Sequence, residues 1–216
     1  MLNTTLNCKG KLLDLSEPKV MGILNLTPDS FYDGGRYFSN IDDALRQAEN
    51  MLLAGAAIID IGGMSSRPGA KVISVAEELQ RVLPSIEAIN KRFPEAILSI
   101  DTVRSEVARQ AVAAGASMVN DISAGSLDEH LLETVAALQV PYILMHMKGK
   151  PETMQNKPIY EDIVQEMFSF FQEKLLKINA LGIRDVVIDM GFGFGKTLAH
   201  NYEVLRQLQD FQLFDL

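Results

Sequence analysis

Short apolar runs alternate with longer segments of helical periodicity from Val20 to the end of the 216-residue chain, and this alternation limits the fold more than any other feature. The runs are rich in Ile, Val, Leu and Met and mostly lack alternating polar residues, as expected of parallel strands that are covered on both faces. We predict strands at Val20–Leu26, Ala57–Gly62, Ala96–Ile100, Ser117–Ile122, Pro141–Met145 and Asp185–Met190. The pattern predicts an α/β fold made of repeated βα units.

Two kinds of local sequence mark where the intervening helices begin and end. Ser74-Val75-Ala76-Glu77 and Ser126-Leu127-Asp128-Glu129 have the spacing of a capping box, which predicts a helix start at each. Gly55, Gly115 and Gly182 stand where helices are expected to end in a left-handed residue. These signals place helices between the apolar runs, as βα units require.

A short N-terminal element precedes the repeated units, within what we predict to be one domain at 1–216. Residues 1–18 are expected to form a cap, with a hairpin of Thr5–Cys8 and Lys11–Leu15 that covers the lower mouth of the sheet. A sixth helix is predicted at about 201–211. Six βα units fit either an open doubly wound sheet or an eight-unit TIM barrel from which two units are missing, and composition does not choose between them.

Charge and cysteine content narrow the classes of function. The 20 Lys and Arg residues against 28 Asp and Glu residues give a net charge of −8, so no broad basic surface for nucleic acid is expected. An anionic substrate must then be held by a few local cations or by a metal. Met1–Leu13 lacks the apolar core of a signal peptide, and no stretch reaches the ~18 apolar residues that span a bilayer. With Cys8 as the single cysteine, these features predict a cytoplasmic protein without a membrane partner.

A polar side chain stands at the end of each predicted strand. The set is Asn25, Asp60, Asp101, Asn120, His146 and Asp189. A single Asp in such a place most often caps the next helix or bonds a loop. Because the active site of parallel βα folds lies at the carboxyl ends of the strands, six polar ends that converge there favour a functional site.

Two loops that follow strands carry further signals. Residues 62–69 combine glycines, hydroxyls and one Arg, the materials of an anion site suited to diphosphate, although a flexible loop with a solvated Arg explains them equally well. Asp189–Thr197 misses the Walker A and dinucleotide spacings, so it predicts a tight loop in which Phe192 or Phe194 forms a wall. The sequence has no zinc-type cluster, and His146 could either face the site or be a hydrogen-bonded core residue.

A series of longer motifs occurs in order along the chain. The motifs are Met21–Phe31 with Asp33-Gly34-Gly35, Asp60–Gly69, Ile100-Asp101-Thr102, Asn120-Asp121-Ile122, Met145-His146-Met147, and Asp189 with Gly191–Lys196. In this order they resemble the dihydropteroate synthases over essentially the whole chain. The resemblance implies a TIM (β/α)8 barrel of which about six βα units are present here. The last two strands of that family, with a Lys in a Ser-Arg-Lys-type segment and an Arg-x-His, have no counterpart, so a C-terminally truncated chain is expected. Met64, Ser66 and Met190 depart from the residues usual in the family.

The resemblance also implies a reaction and its partners. The family condenses 7,8-dihydropterin-6-ylmethyl diphosphate with p-aminobenzoate, which gives dihydropteroate and diphosphate in folate biosynthesis. A homodimer and a Mg²⁺ cofactor are expected on the same grounds. The carbon–oxygen bond breaks early, and the amine attacks the pterin methylene cation that results.

The family's site residues carry over to matching positions of this sequence. Asn25 is the expected Mg²⁺ ligand, while Ser66 and Arg67 are expected to hold the diphosphate. The expected catalytic residues are Arg67, Ser66 and Asp33. The expected substrate-binding residues are Asp101, Asn120, Asp189, Phe31, Pro68, Met145, Phe194 and Lys196. Asp189 is the first choice for the pterin, because a carboxylate accepts paired hydrogen bonds from adjacent N–H donors.

Two other functions stay open at this point. A pterin-dependent methyltransferase that passes a methyl group to a corrinoid would share the pterin-facing Asp and Asn residues, but it does not need a diphosphate loop. A non-catalytic protein that binds a pterin or folate is compatible with the absent C-terminal motifs. Release of diphosphate distinguishes the synthase from both.

Overall fold

The structure, a computed structural model, describes residues 4–27, 41–65, 72–149 and 158–214. Its strands are β1 (Thr5–Cys8), β2 (Lys11–Asp14), β3 (Val20–Asn25), β4 (Ala56–Gly62), β5 (Ile97–Asp101), β6 (Met118–Asp121), β7 (Tyr142–Met145) and β8 (Val186–Asp189). Its helices are α1 (Ile41–Leu53), α2 (Val75–Arg92), α3 (Ser105–Ala114), α4 (Leu131–Leu138), α5 (Ile163–Ala180), α6 (Leu198–Arg206) and a 3-10 helix (Leu208–Phe214). The strands predicted from the apolar runs are confirmed, each end within one residue.

The order of the strands decides between the two architectures left open by the sequence. Within the described residues, β3 to β8 form one parallel sheet in which every strand pairs with the next one along the chain. A doubly wound sheet reverses its order at a switch point, whereas a barrel adds strands in sequence. The unbroken order is therefore that of consecutive βα units of a TIM barrel.

The two faces of this sheet have different partners. Ile59 and Ile61 of β4 are fully buried in the same cluster as Ile86 of α2, so they face the surrounding helices. Ile58 belongs to a second cluster with residues of the N-terminal hairpin. Because successive strand residues point to opposite faces, Asp60 and Gly62 share the inward face of Ile58. The interior of the barrel thus changes from apolar to polar toward the carboxyl ends of the strands.

The hairpin β1–β2 lies at the opposite end of the sheet. Its inward side chains, Leu6, Cys8 and Leu13, are buried against residues at the amino ends of the strands. Those residues are Ile58, Ile97, Met118 and Ile143. The Asn7 amide also donates a 3.0 Å hydrogen bond to the Asp185 carboxylate just before β8. The hairpin therefore covers the amino-terminal end and leaves the carboxyl-terminal end to the site.

The predicted helix starts had mixed outcomes. The Ser74 hydroxyl accepts a 3.1 Å hydrogen bond from the Glu77 amide, so the predicted helix start is confirmed. The prediction at Ser126 is wrong, because α4 begins at Leu131 and the Ser126 hydroxyl donates instead to the Ser123 carbonyl. Competition from a nearby turn explains this result, since short polar side chains bond local backbone equally well in turns.

The predicted helix ends agree with the structure, whereas the sixth helix begins earlier than predicted. Gly55, Gly115 and Gly182 all have positive φ, as predicted for residues that end helices. The start of the sixth helix was predicted too late. Helix α6 begins at Leu198 because Thr197 and His200 form a capping box, in which each side chain bonds the backbone of the other. The usual pattern has Glu or Gln at the position of His200, so the sequence rule does not include this pair.

Among the described residues, none of the helices combines the length and apolar character that a membrane span requires.

Candidate active site

The register of the parallel strands places Asn25, Asp101 and Asn120 in one row, and Asp189 lies two residues further toward the carboxyl end of its strand. Asn25 pairs with Gly62, Gly62 with Asp101, and Asp101 with Asn120. On the other side, Met145 at the end of β7 pairs with Asp189 at the end of β8. The side chains that the sequence placed at separate strand ends thus meet at the carboxyl-terminal mouth of the barrel.

Gly62 has no side chain in this row, and two side-chain oxygens border the space that a side chain would fill. A Cβ placed on Gly62 would lie 3.3 Å from Asn25 Oδ1 and 3.3 Å from Asp101 Oδ2. The missing side chain therefore leaves a space bordered by one amide oxygen and one carboxylate oxygen. Such oxygens suit a hard cation that keeps most of its waters. Within the described part of the chain, no group of three or more His, Cys, Asp and Glu side chains could hold a metal.

A buried hydrogen bond connects Asn120 in this row to Asp60, which lies two residues before Gly62 on β4. Asn120 Nδ2 donates to Asp60 Oδ2 at 2.9 Å, which links β6 to β4 across the barrel interior. The other oxygens of both groups, Asp60 Oδ1 and Asn120 Oδ1, are buried without a hydrogen-bond partner in the described residues, as is Ser99 Oγ. Ser99 is the cross-strand neighbour of Asp60, and its hydroxyl acts to lower the pKa of that carboxyl, so the Asn120 oxygen is the acceptor most clearly left for a ligand or for water.

The carboxylates of the site repel one another in a poorly solvated space. Burial raises the pKa of Asp60, and the charge of Asp189 adds to that increase. Desolvation raises the pKa of Asp101 well above its ordinary value, with further increases from the charges of Asp60, Asp121 and Glu78. A ligand that donates several N–H groups would relieve this crowding, because hydrogen bonds to carboxylates are strongest when charge-assisted. The site is therefore suited to a ring with adjacent N–H donors.

An apolar patch adjoins the polar row. Val103, Ile122 and Met145 form a buried cluster beyond the strand ends, against which Met64 and Phe194 pack. These residues come from the segments after four different strands, β4, β5, β6 and β8, and from the end of β7. They provide an apolar surface beside the acceptors, as a flat aromatic ring requires. The structure thus brings the predicted residues Met145 and Phe194 together.

Asp121 shows that not every strand-end Asp belongs to the row. It is fully buried, and its carboxylate accepts hydrogen bonds from the amides of Ser123 and Gly125 and from the hydroxyl groups of Ser123 and Tyr142. Each of these bonds is 2.7 Å or shorter. The side chain therefore shapes the loop after β6, which is the structural role that the sequence left open for any single Asp.

His146 is a core residue, as one of the two alternatives from the sequence predicted, although its Nδ1 lacks a hydrogen bond within the described residues. Its ring is buried and packs edge-on against Phe170, with ring centres 4.9 Å apart. Burial, followed by the positive charges of Lys196 and Lys148, lowers the pKa of His146 to about 3. It is a neutral core residue held by aromatic contacts.

A buried ion pair supports the loops around the site. Glu78 of α2 accepts 2.7 Å hydrogen bonds from Arg104 and from the Thr102 hydroxyl, next to Asp101. Arg104 also donates to the Ile73 carbonyl, while Arg81 donates to the Gly63 carbonyl. No local pattern in the sequence points to Glu78 and Arg104 as partners, since they lie 26 residues apart.

Five of the predicted site residues cannot be placed, and one residue of the site was not predicted. Phe31, Asp33, Ser66, Arg67 and Pro68 lie outside the described residues. Asp60 was recognised as a strand end but was not assigned to the site, although the near-repeat of 55–60 and 115–120 pointed to it. Both segments run from a helix-ending Gly to a polar residue, and these polar residues, Asp60 and Asn120, are hydrogen-bonded partners.

Comparisons with known proteins agree with this geometry. A sequence model of the pterin-binding enzymes matches residues 21–215, so the chain falls within that class. The dihydropteroate synthase of Escherichia coli is 49% identical over 210 residues, which cover 96% of this chain and 73% of that protein. The crystal structure of Yersinia pestis dihydropteroate synthase with a sulfonamide drug complex gives a TM-score of 0.92 at 47% identity, covering 98% of this chain and 77% of that one.

A further solved structure contains a ligand that bears on the site. Xanthomonas albilineans dihydropteroate synthase in complex with 7,8-dihydropteroate gives a TM-score of 0.86 at 39% identity, over 98% of this chain and 75% of that one. The chain belongs to the dihydropteroate synthases, transferases of folate biosynthesis. This membership confirms the first of the three functions predicted from the sequence, and it confirms the TIM-barrel fold.

Proposed function

We propose that this dihydropteroate synthase holds the pterin of 7,8-dihydropterin-6-ylmethyl diphosphate between Asp101, Asn120 and Asp189. The observation that carries the proposal is the buried Asn120–Asp60 pair with its unused oxygens, at the end of the barrel where Asp101 and Asp189 also lie. The aminopyrimidinone edge of a pterin offers adjacent N–H donors, which suit these acceptors. Asp60 joins the proposed set, because it orients the Asn120 amide.

The apolar patch completes the proposed pterin site. Met145 and Phe194 would cover the ring, in agreement with their shared cluster beside the acceptors. Aromatic and sulfur-containing side chains pack well on flat rings. The Xanthomonas albilineans relative was solved with 7,8-dihydropteroate, which supports a site that accommodates the joined product.

Asn25 is the proposed ligand for Mg²⁺. The space over Gly62, bordered by Asn25 Oδ1 and Asp101 Oδ2, fits a hard cation because both donors are oxygens. When bound, Mg²⁺ would supply positive charge to the diphosphate as it leaves. Asn25 would position that ion beside the proposed pterin site. Asn25 pairs with Gly62, so the ion would also lie next to the loop that begins at Gly63.

The remaining steps are proposed for residues outside the described part of the chain. Ser66 and Arg67 would hold the diphosphate oxygens while the bond between the pterin methylene carbon and oxygen breaks. Phe31, Asp33 and Pro68 would enclose p-aminobenzoate, whose nitrogen bonds to that carbon and then loses a proton to water. The protein's contribution is to orient the reactants and stabilise the leaving anion, so no strong base is needed. Agreement of these motifs with the family supports the assignment.

One experiment tests the proposed function as a whole. Calorimetry of the full-length enzyme with pterin diphosphate should show binding that Mg²⁺ tightens, and Asn25→Leu should remove that tightening while pterin alone still binds. Addition of p-aminobenzoate should then release diphosphate in equal amount to dihydropteroate. Binding without diphosphate release would contradict the reaction, and equal Mg²⁺ dependence in Asn25→Leu would contradict the ligand.

A homodimer and a cytoplasmic location complete the proposal. Leu198, Tyr202 and Leu205 recur at a helical spacing on one face of α6 and are 74%, 66% and 54% exposed, which gives a second copy an apolar surface to pack against. The buried, unpaired Cys8 suits a reducing compartment. Light scattering of the purified enzyme measures its mass, and a monomer at micromolar concentration would contradict the dimer.

A further inference from the structure

Lys196 is a charged residue that lies almost entirely inside the protein. It follows β8 in the sequence, and only 4% of its surface is exposed. Its ammonium donates to the carbonyl oxygens of His146, Gly191 and Phe194 at 3.1, 3.0 and 3.2 Å. An ammonium has three protons, so these three carbonyls use its full donor capacity. Desolvating such a charge is costly unless it is fully hydrogen-bonded, which indicates a specific role.

The three carbonyls connect two different strand ends. His146 directly follows β7, whereas Gly191 and Phe194 belong to the loop after β8. The backbones of these segments are in direct contact, since a Cβ on Gly191 would lie 2.1 Å from the His146 carbonyl oxygen. Lys196 thus ties the β8 loop to the end of β7.

This tie extends to the carboxylate of Asp189. The Gly191 amide donates a 2.8 Å hydrogen bond to Asp189 Oδ1, and the His146 amide donates a 2.9 Å hydrogen bond to the Asp189 carbonyl. Lys196 therefore binds the carbonyl groups of His146 and Gly191, the two residues whose amides donate to Asp189. Its third bond, to Phe194, fixes a residue of the apolar patch.

We propose that Lys196 is a positioning residue, whose buried ammonium fixes the Asp189 carboxylate and the Phe194 ring in the orientation that receives the pterin, without touching the substrate itself. This inference rests on the proposed pterin site, and it assigns Lys196 a different task from the direct substrate contact expected from the sequence. The geometry supports it, because the protons that would contact a substrate are already donated to backbone carbonyls.

Electrostatics agree with the geometry. Burial lowers the pKa of Lys196 to about 8, and the negative charge of Asp189 acts in the opposite direction. The charge of Asp189 therefore favours the protonated form of Lys196, the form that donates to all three carbonyls.

Lys196→Met in the full-length enzyme tests the inference, with Lys148→Met as the matched control. Lys148 lies in the loop after β7, but its ammonium contacts Glu166, the Ile159 carbonyl and the Tyr160 ring instead. Calorimetry measures binding of 6-hydroxymethyl-7,8-dihydropterin and, separately, of inorganic diphosphate with Mg²⁺. We expect Lys196→Met to weaken pterin binding about 10-fold, as for the loss of one hydrogen-bonded contact, and to leave diphosphate binding unchanged.

A double variant separates this inference from the proposed function. If Lys196 acts through Asp189, then adding Lys196→Met to Asp189→Asn should cause little further loss, because both changes remove the same interaction. Full additivity, or weaker diphosphate binding with unchanged pterin binding, would overturn the positioning role. If Asp189→Asn alone leaves pterin binding intact, the proposed pterin site fails instead.

Lys196→Arg provides a second variant in case the Met variant does not fold. The planar guanidinium keeps the charge but cannot direct its donors at the same three carbonyls. It should therefore weaken pterin binding several-fold while diphosphate binding stays constant. Unchanged binding of both ligands would again overturn the role of Lys196.

Discussion

Asn120 and Asp60 are joined by a 2.9 Å hydrogen bond that crosses the barrel interior from β6 to β4. Strand β5 lies between them in the sheet, so the bond connects strands that are not neighbours. It holds the amide of Asn120 in one orientation, with the amide oxygen left to accept from a ligand. The pair therefore links the stability of the barrel to the shape of the proposed pterin site.

Replacing the donor of this pair should damage both properties. Asn120→Asp replaces the hydrogen bond to Asp60 with two carboxylates that repel each other at about the same separation. We therefore expect a loss of about 2 kcal/mol in the free energy of unfolding at pH 7 and weaker pterin binding. The exchanged double variant, Asp60→Asn with Asn120→Asp, restores one donor and one carboxylate and should recover most of the stability. Urea unfolding measures the stability of the single and the double variant. Equal stability of Asn120→Asp and the parent would contradict the prediction.

Two glycines of the β8 loop predict a contrast in stability. Gly191 and Gly193 both have positive φ, but only Gly191 lies against the backbone of His146. Gly193→Ala should cost about 1 kcal/mol from its left-handed conformation alone. Gly191→Ala adds a steric clash and should cost about 3 kcal/mol, together with lower pterin affinity. Similar unfolding free energies for the two variants would show that the loop does not depend on this contact.

The buried His146 predicts a dependence of stability on pH. Its pKa is lowered from 6.5 to about 3 in the folded protein, so unfolding takes up a proton below pH 6.5. The stabilising contribution is complete above pH 6.5 and is lost as pH falls toward 3, at up to about 1.4 kcal/mol per pH unit. His146→Phe keeps the aromatic packing and should flatten the profile between pH 6.5 and 4. His130→Gln removes an exposed histidine and serves as the control for loss of a histidine outside the core.

Arg67 gives a prediction for turnover. It lies outside the described residues, and its role rests on the family match. Loss of one preorganised charge contact typically costs ~10²–10³ in rate, so Arg67→Ala should reduce kcat by that factor while the melting temperature is unchanged. The surface residue Arg46, paired with Asp43 on α1, provides the control variant Arg46→Ala. Turnover of Arg67→Ala within a few-fold of the parent would refute the role.

The sequence by itself determined the strands, the polar residues at their ends and the family. Apolar runs and helix-ending glycines are local signals, because pleat and helical period act over a few residues. The strand of Ala57–Gly62 and the polar end at Asp60 could be predicted from such signals. The order of the longer motifs along the chain indicated the family, which the comparisons confirmed.

Only the tertiary structure decided which of these residues are partners. Strand order, the Asn120–Asp60 bond and the three carbonyls around Lys196 join segments far apart in the chain, so no local pattern encodes them. Asp121 and Asp60 both lie at strand ends. The sequence could not tell that the Asp121 carboxylate accepts hydrogen bonds from its own loop and from Tyr142, whereas one oxygen of Asp60 has no hydrogen-bond partner in the described residues. The reason is physical: local periodicity fixes the direction of a side chain, whereas its partners depend on long-range packing.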